Sequence, residues 1–317
     1  MVRNVTPTIE GGLLVAITVI MCLAAAYVPV LGILVEIFCA VPMAVLTARQ
    51  GAGKGFTALI VATILLAILI GPLQAVLLMT GSGLCGYALG WCVRKNFGAV
   101  KIFLTVLIVS SVAQIFVFAL WMLVMDISLE TQLKMLHEFL DEGLTLAGQM
   151  GWLDQSQVPE AKAQVGAQLN SFVFLLPMLV LMSALLNAAV VWFTSKWIFP
   201  KLQMKLPSFP PFAEWKFPSV FLYMAAFGAI GMYWGFTRGW TELYGLSLNV
   251  TFAALLTGLV QGLSLVSFVM DRYSVSKVLR WILYLLIVFN AFLSQLVALT
   301  GLIDMLFDYR KKFLDGR

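Results

Sequence analysis

The stretch TARQGAGKGFTAL, Thr47 to Leu59, sets three glycines around a lysine and resembles a phosphate-binding loop. That chemistry needs G-x-x-x-x-G-K-[ST]. Glycines bare the backbone amides to the phosphates, the lysine neutralises charge, and the hydroxyl holds Mg²⁺. Here Ala48 stands where the first glycine belongs, and Gly55 stands where the hydroxyl belongs. The stretch lacks two of the parts, and nucleotide binding is not expected.

Other reactive groups are sparse. Cys22, Cys39, Cys85 and Cys92 lie in apolar runs with no C-x-x-C pair, so they read as small hydrophobes. His137 is the one histidine, which leaves no Cys/His set for a metal. No G-x-S-x-G and no nucleophile–base pair is present, so neither catalytic residues nor a cofactor are expected.

Polar side chains inside apolar runs are the stronger pointers, because each is costly to bury in lipid. Glu36 sits in GILVEIFCAVP, Gln74 follows Gly71-Pro72, and Gln114 and Asn187 lie in later runs. These four are the expected lining of a ligand cavity, with hydrogen bonding between helices as the competing role. Asn249, Gln261, Asn290 and Gln295 offer the same two roles. Asp304 and Asp308, four apart and close to Arg310, read as an ion-paired helix end.

The elements that carry these residues follow from composition. The chain has 317 residues, 62% hydrophobic and 11% charged, with mean hydropathy +0.98. Too few charges remain to coat a soluble core, and the fold class is an all-α polytopic transmembrane bundle. Runs near 10–28, 30–48, 55–71, 72–93, 100–125, 171–196, 217–236, 246–270 and 278–306 read as nine spanning helices. Residues 1–200 form a six-helix membrane domain with an external helical insertion at 126–170. A proline-rich linker at 201–216 precedes a C-terminal membrane region, 217–317.

Sidedness comes from Lys and Arg. Arg3, Arg49, Lys54, Arg94, Lys95, Lys101, Lys196, Lys201, Lys205, Lys216, Arg272, Lys277 and Arg280 fall on one side when the N-terminus is cytoplasmic. The net charge of +5 is therefore a topology signal in a bacterial cell membrane, with no nucleic-acid partner implied. The 126–170 segment is acidic, and Leu129, Leu133, Leu136, Leu140 and Leu144 make part of it an amphipathic helix for the membrane surface, a lid or the bundle top. RQGAGKG becomes a cytoplasmic turn. One conflict remains: nine spans put the tail outside, although it carries Arg310, Lys311, Lys312 and Arg317.

Pro42–Trp91, the stretch LNVTFAALLTGLVQGLSLVSF from Leu248, and GLIDMLFDYRKK from Gly301 resemble the YybS-like predicted membrane proteins of Firmicutes, a family of unknown function. More distantly, helices one to six resemble the substrate-binding subunits of energy-coupling-factor vitamin transporters, and the rod-shape protein MreD. The transporter resemblance implies a cavity open to the outside. It also implies a small-residue face on the first helix that docks a coupling subunit. Gly12-x-x-x-Ala16 is the nearest match to that A-x-x-x-A face. Gly86/Gly90 is a second small-residue pair able to bring a membrane-protein partner close. The expected function is small-molecule binding or transport; the alternative is a non-transporting scaffold for other envelope proteins.

Overall fold

The computed structural model describes residues 7–28, 31–125 and 129–311, and every regular element among them is helical. The chain separates into two compact units. The first holds residues through Lys134 together with Leu179–Ser208; the second holds Met135–Met178 and Phe209–Arg317. The segment expected to be external thus groups with the C-terminal half from Met135 onward. Arg3, Lys312 and Arg317 lie outside the described residues.

In the first unit, α1 (Pro7–Tyr27) is followed by α2 (Leu31–Glu36), α3 (Ala40–Gln50) and α4 (Ala52–Ile70). Next come α5 (Pro72–Leu78), a π turn (Met79–Gly83), α6 (Leu84–Arg94) and α7 (Ala99–Met125). The expected second span is therefore broken. Phe38, Cys39 and Val41 donate only three residues back, to Val35, Glu36 and Phe38, and the chain kinks there. The pair still brings the chain back to the end of the unit where α1 starts. Gln50 Nε2 donates to the Pro7 carbonyl at 2.7 Å, and Arg49 pairs with Glu10.

RQGAGKG is tighter than a loop. Gly51 alone separates α3 from α4, at φ 97°, and Arg94 Nη1 donates to the Arg49 carbonyl at 2.8 Å, capping α3. Gly71, at φ 94°, makes the opposite reversal, with Pro72 at the first helical position.

Between lipid-facing helices the hydrophobic effect offers little, so close approach must hold them. Gly86 and Gly90 do this for α6: side chains there would strike the Ala40 and Ala44 carbonyls of α3. Met43, Leu46, Leu89, Ile102, Trp192 and Phe199 fill the interior of the first unit, while Ile60, Ile64, Ile68, Ile108 and Val112 face outward. Apolar residues inside and out are what a lipid-embedded bundle requires.

Helices α8 (Leu129–Gln149) and α9 (Val158–Phe172) follow α7, and α9 runs through a short 3-10 turn into α10 (Leu176–Ile198). The linker leads to α11 (Val220–Arg238), α12 (Thr241–Arg272), α13 (Lys277–Phe289) and α14 (Ala291–Phe307). α11 and α12 are antiparallel. Gly228 meets Thr251, Gly231 meets Ser247 and Gly235 meets Tyr244.

The expected ninth span, 278–306, is two helices bent by 99° at Asn290, whose side chain caps α14. At 1.5 Å per residue their arms are roughly 20 and 26 Å long, each short of a ~30 Å hydrocarbon core. Both ends of this pair lie on one side. α13 starts where α12 ends, and Asp308, just past α14, pairs with Lys216 of the linker. Among the described residues seven helices are long and apolar enough to cross a membrane singly. We propose that the α2–α3 pair makes an eighth crossing, since an even number would return the basic tail to the side of the other basic segments.

Candidate functional site

The four residues expected to line a cavity have different surroundings. Asn187, on α10, is engaged at the π turn. A π turn widens the helix and leaves carbonyls without their usual i+4 donors. Asn187 Nδ2 donates to the Gly81 carbonyl of that turn at 3.2 Å, to Ser110 Oγ at 2.9 Å and to Cys85 Sγ at 3.5 Å. One amide thus ties α10 to the π turn, α6 and α7. Ser110 is fully buried, and Gln114, half-buried, lies one turn along the same face of α7.

Glu36 and Gln74 are exposed. Glu36 is the last residue of α2, at the kink. The break is held against α1: Gly32 packs on the Ala25 carbonyl and the Cys39 thiol meets Cys22. Gln74 lies in the first turn of α5, beside the reversal at Gly71.

Asn187→Leu is expected to lower stability by about 1 kcal/mol, the usual worth of a hydrogen bond between membrane helices. Thermal unfolding in detergent measures it. A Ser110→Ala variant should show part of the same loss, and the two losses should not add, because they share one bond.

A second polar cluster lies in the second unit and joins the two C-terminal sequence signatures. Gln261 of α12 donates to Asp304 Oδ2 of α14 at 2.6 Å and accepts from the Phe217 amide at 3.1 Å. Asp304 Oδ1 accepts from the Tyr309 amide at 2.9 Å. Arg310 donates to the Ala213 carbonyl at 2.6 Å and to Ser264 Oγ at 2.9 Å, and its Nε lies 3.9 Å from Asp304. Gln261, Ser264, Asp304 and Arg310 are all nearly inaccessible to solvent. At the rim, Lys216 donates to both Asp308 oxygens and holds that carboxyl below the ordinary aspartate range.

The ion-paired helix end read from Asp304, Asp308 and Arg310 is therefore present: the Asp304–Arg310 pair is buried, Asp308 pairs with Lys216 at the rim, and both serve the linker. Sequence spacing alone missed Gln261 and Ser264 as its partners. The signal was available in Gln261-Gly262 and Ser264, a polar–small run inside an apolar helix. Asn249 does similar work in the same unit: it donates to the Phe174 carbonyl and accepts from the Met178 amide at 3.0 Å. Among the described residues no group of three or more His, Cys, Asp or Glu side chains is placed to hold a metal ion.

No solved structure matches the chain. The uncharacterized protein YybS of Bacillus subtilis (strain 168) is 23% identical over 304 residues, covering 96% of this chain and 97% of that one. The family described as predicted membrane protein (DUF2232) matches residues 16–305, nearly the whole sequence. The chain belongs to that family, the YybS-like predicted membrane proteins.

Proposed function

We propose that this integral membrane protein binds a small polar solute at the α2–α3 kink and takes part in its transport. The observation that carries the reading is Glu36: an exposed carboxylate at a break in a membrane helix. Irregular backbone at membrane depth is tolerated where it is enclosed by protein or lines a water-filled space, and transporters place solute and ion sites at such breaks. A carboxylate at that place favours a cationic or hydrogen-bond-donating solute. In this reading the N-terminus, the linker and the tail face the cytoplasm of a bacterial cell, and the α8–α9 segment faces out.

The test is mass spectrometry of small molecules that co-purify with the protein, repeated for Glu36→Ala. The variant should insert and fold normally but lose the co-purifying solute and the thermal stabilisation it confers, at least tenfold in occupancy. Unchanged occupancy would make Glu36 structural.

A specific observation favours the scaffold reading as the second choice. Gly12 and Ala16 are exposed on α1, and a side chain at Gly12 would meet nothing within 4 Å. Gly86 and Gly90 are covered by α3 of the same chain. An envelope-protein partner would therefore dock on α1, and crosslinking from Ala16→Cys distinguishes this reading from solute binding.

A further inference from the structure

Helix α8 has two apolar sectors. Leu133, Leu140, Leu144 and Ala147 are half-buried and share a side with His137 and Gly148. That side faces α9: a side chain at Gly148 would press on Val158, and one at Gly166 would approach His137 at 3.6 Å. The second sector is uncovered. Met135, Phe139, Leu146 and Met150 are 56, 71, 52 and 62% exposed, and their spacings of four, seven and four stack them in one stripe. Trp152 follows at the hairpin tip, 82% exposed. Glu138, Asp141, Glu142 and Thr145 form the polar sector beside the stripe.

We propose that this stripe seats α8 in the headgroup–acyl boundary of the bilayer, so that α8 lies in the membrane plane beneath α9. Three observations select a lipid surface. The chain is short: α8 begins four residues after Met125, the end of α7, whose Leu123 is 79% exposed and of lipid-facing character. That gap spans at most about 14 Å, so α8 starts close to the membrane edge, and Met135, the first stripe residue, follows about 9 Å along it. The other leg returns as well, because α9 passes into the spanning helix α10. Charge then narrows the surface. Residues 129–170 carry six acids and two lysines, a net of −4. A second copy would set acid against acid, and an anionic patch would be repelled, whereas an interface of low charge accepts the apolar stripe and leaves the acids in water.

The test places a fluorophore on single cysteines in the full chain, reconstituted in phosphatidylcholine vesicles containing lipids with a nitroxide high on the acyl chain. The four native cysteines are buried and do not compete. Quenching at Phe139→Cys and Leu146→Cys should exceed that at Glu138→Cys and Thr145→Cys at least threefold, and it should be insensitive to salt. Met135→Cys and Met150→Cys repeat the test if the first pair folds poorly. Equal quenching in both sectors would overturn the proposal. So would self-quenching that rises with protein density, which marks a second copy on the stripe.

Discussion

Gly301→Val is expected to prevent folding of the C-terminal unit, at a cost of about 3 kcal/mol or more. The reason is a crossing of backbone on backbone. A side chain at Gly301 would land on the Gly258 carbonyl and the Gly262 amide. Its neighbours are equally tight: a methyl added at Gly258 would lie 2.6 Å from the Ala298 carbonyl oxygen, and one at Gly262 would strike Val297. Flexible side chains can yield to an added methyl, but two helix backbones cannot without separating α12 from α14. Gly301→Ala should be intermediate. Gly143→Ala is the control, since it sits within α8 with nothing within 4 Å and should be neutral or slightly stabilising. Yield of monodisperse protein and thermal unfolding in detergent read the series.

Asp304→Ala is expected to cost about 3–5 kcal/mol, the penalty for stranding a buried charge. Arg310 is only 4% exposed and would keep its guanidinium without the neighbouring carboxylate. Gln261 Nε2 and the Tyr309 amide would lose their acceptor in the same step. The paired change Asp304→Leu with Arg310→Met should recover most of the loss, because no charge then remains to be desolvated. A double variant as unstable as Asp304→Ala would show that the cost arises elsewhere, in the hydrogen bonds of Gln261 and Tyr309.

The legible parts of the fold were those written in long apolar runs and in charge. The spans at α1, α4, α7 and α10 follow from hydropathy alone, and the Gly51 reversal follows from basic residues beside glycine. The kink at Ile37–Cys39 was not legible, because Val35, Ile37 and Phe38 are as apolar as an unbroken helix would be. The bend at Asn290 was half-legible: Asn is a good helix N-cap, but inside a long apolar run it reads as a clasp. The basic tail was the clearer sign, since only an even number of crossings brings it back to the other basic segments.

The site was less legible than the fold. Asn187 stands out as a polar residue in an apolar run, but its partners come from α6, α7 and a π turn that leaves no periodic trace in MTGSG. Gln261, Ser264 and Asp304 sit some forty residues apart in two signatures, and only the glycine crossing between α12 and α14 brings them together. Pattern reading finds residues that are costly to bury; it does not find which of them meet.

We propose an eight-crossing map, in which α13 and α14 enter and leave on one side. Single cysteines at Lys205, Gln157 and Lys311, labelled in intact cells and in opened ones by a membrane-impermeant maleimide, test it directly. The map predicts that Lys205→Cys and Lys311→Cys react only after opening, while Gln157→Cys reacts in intact cells. Labelling of Lys311→Cys from outside, together with Gln157→Cys, would mean that the bent pair crosses the bilayer after all.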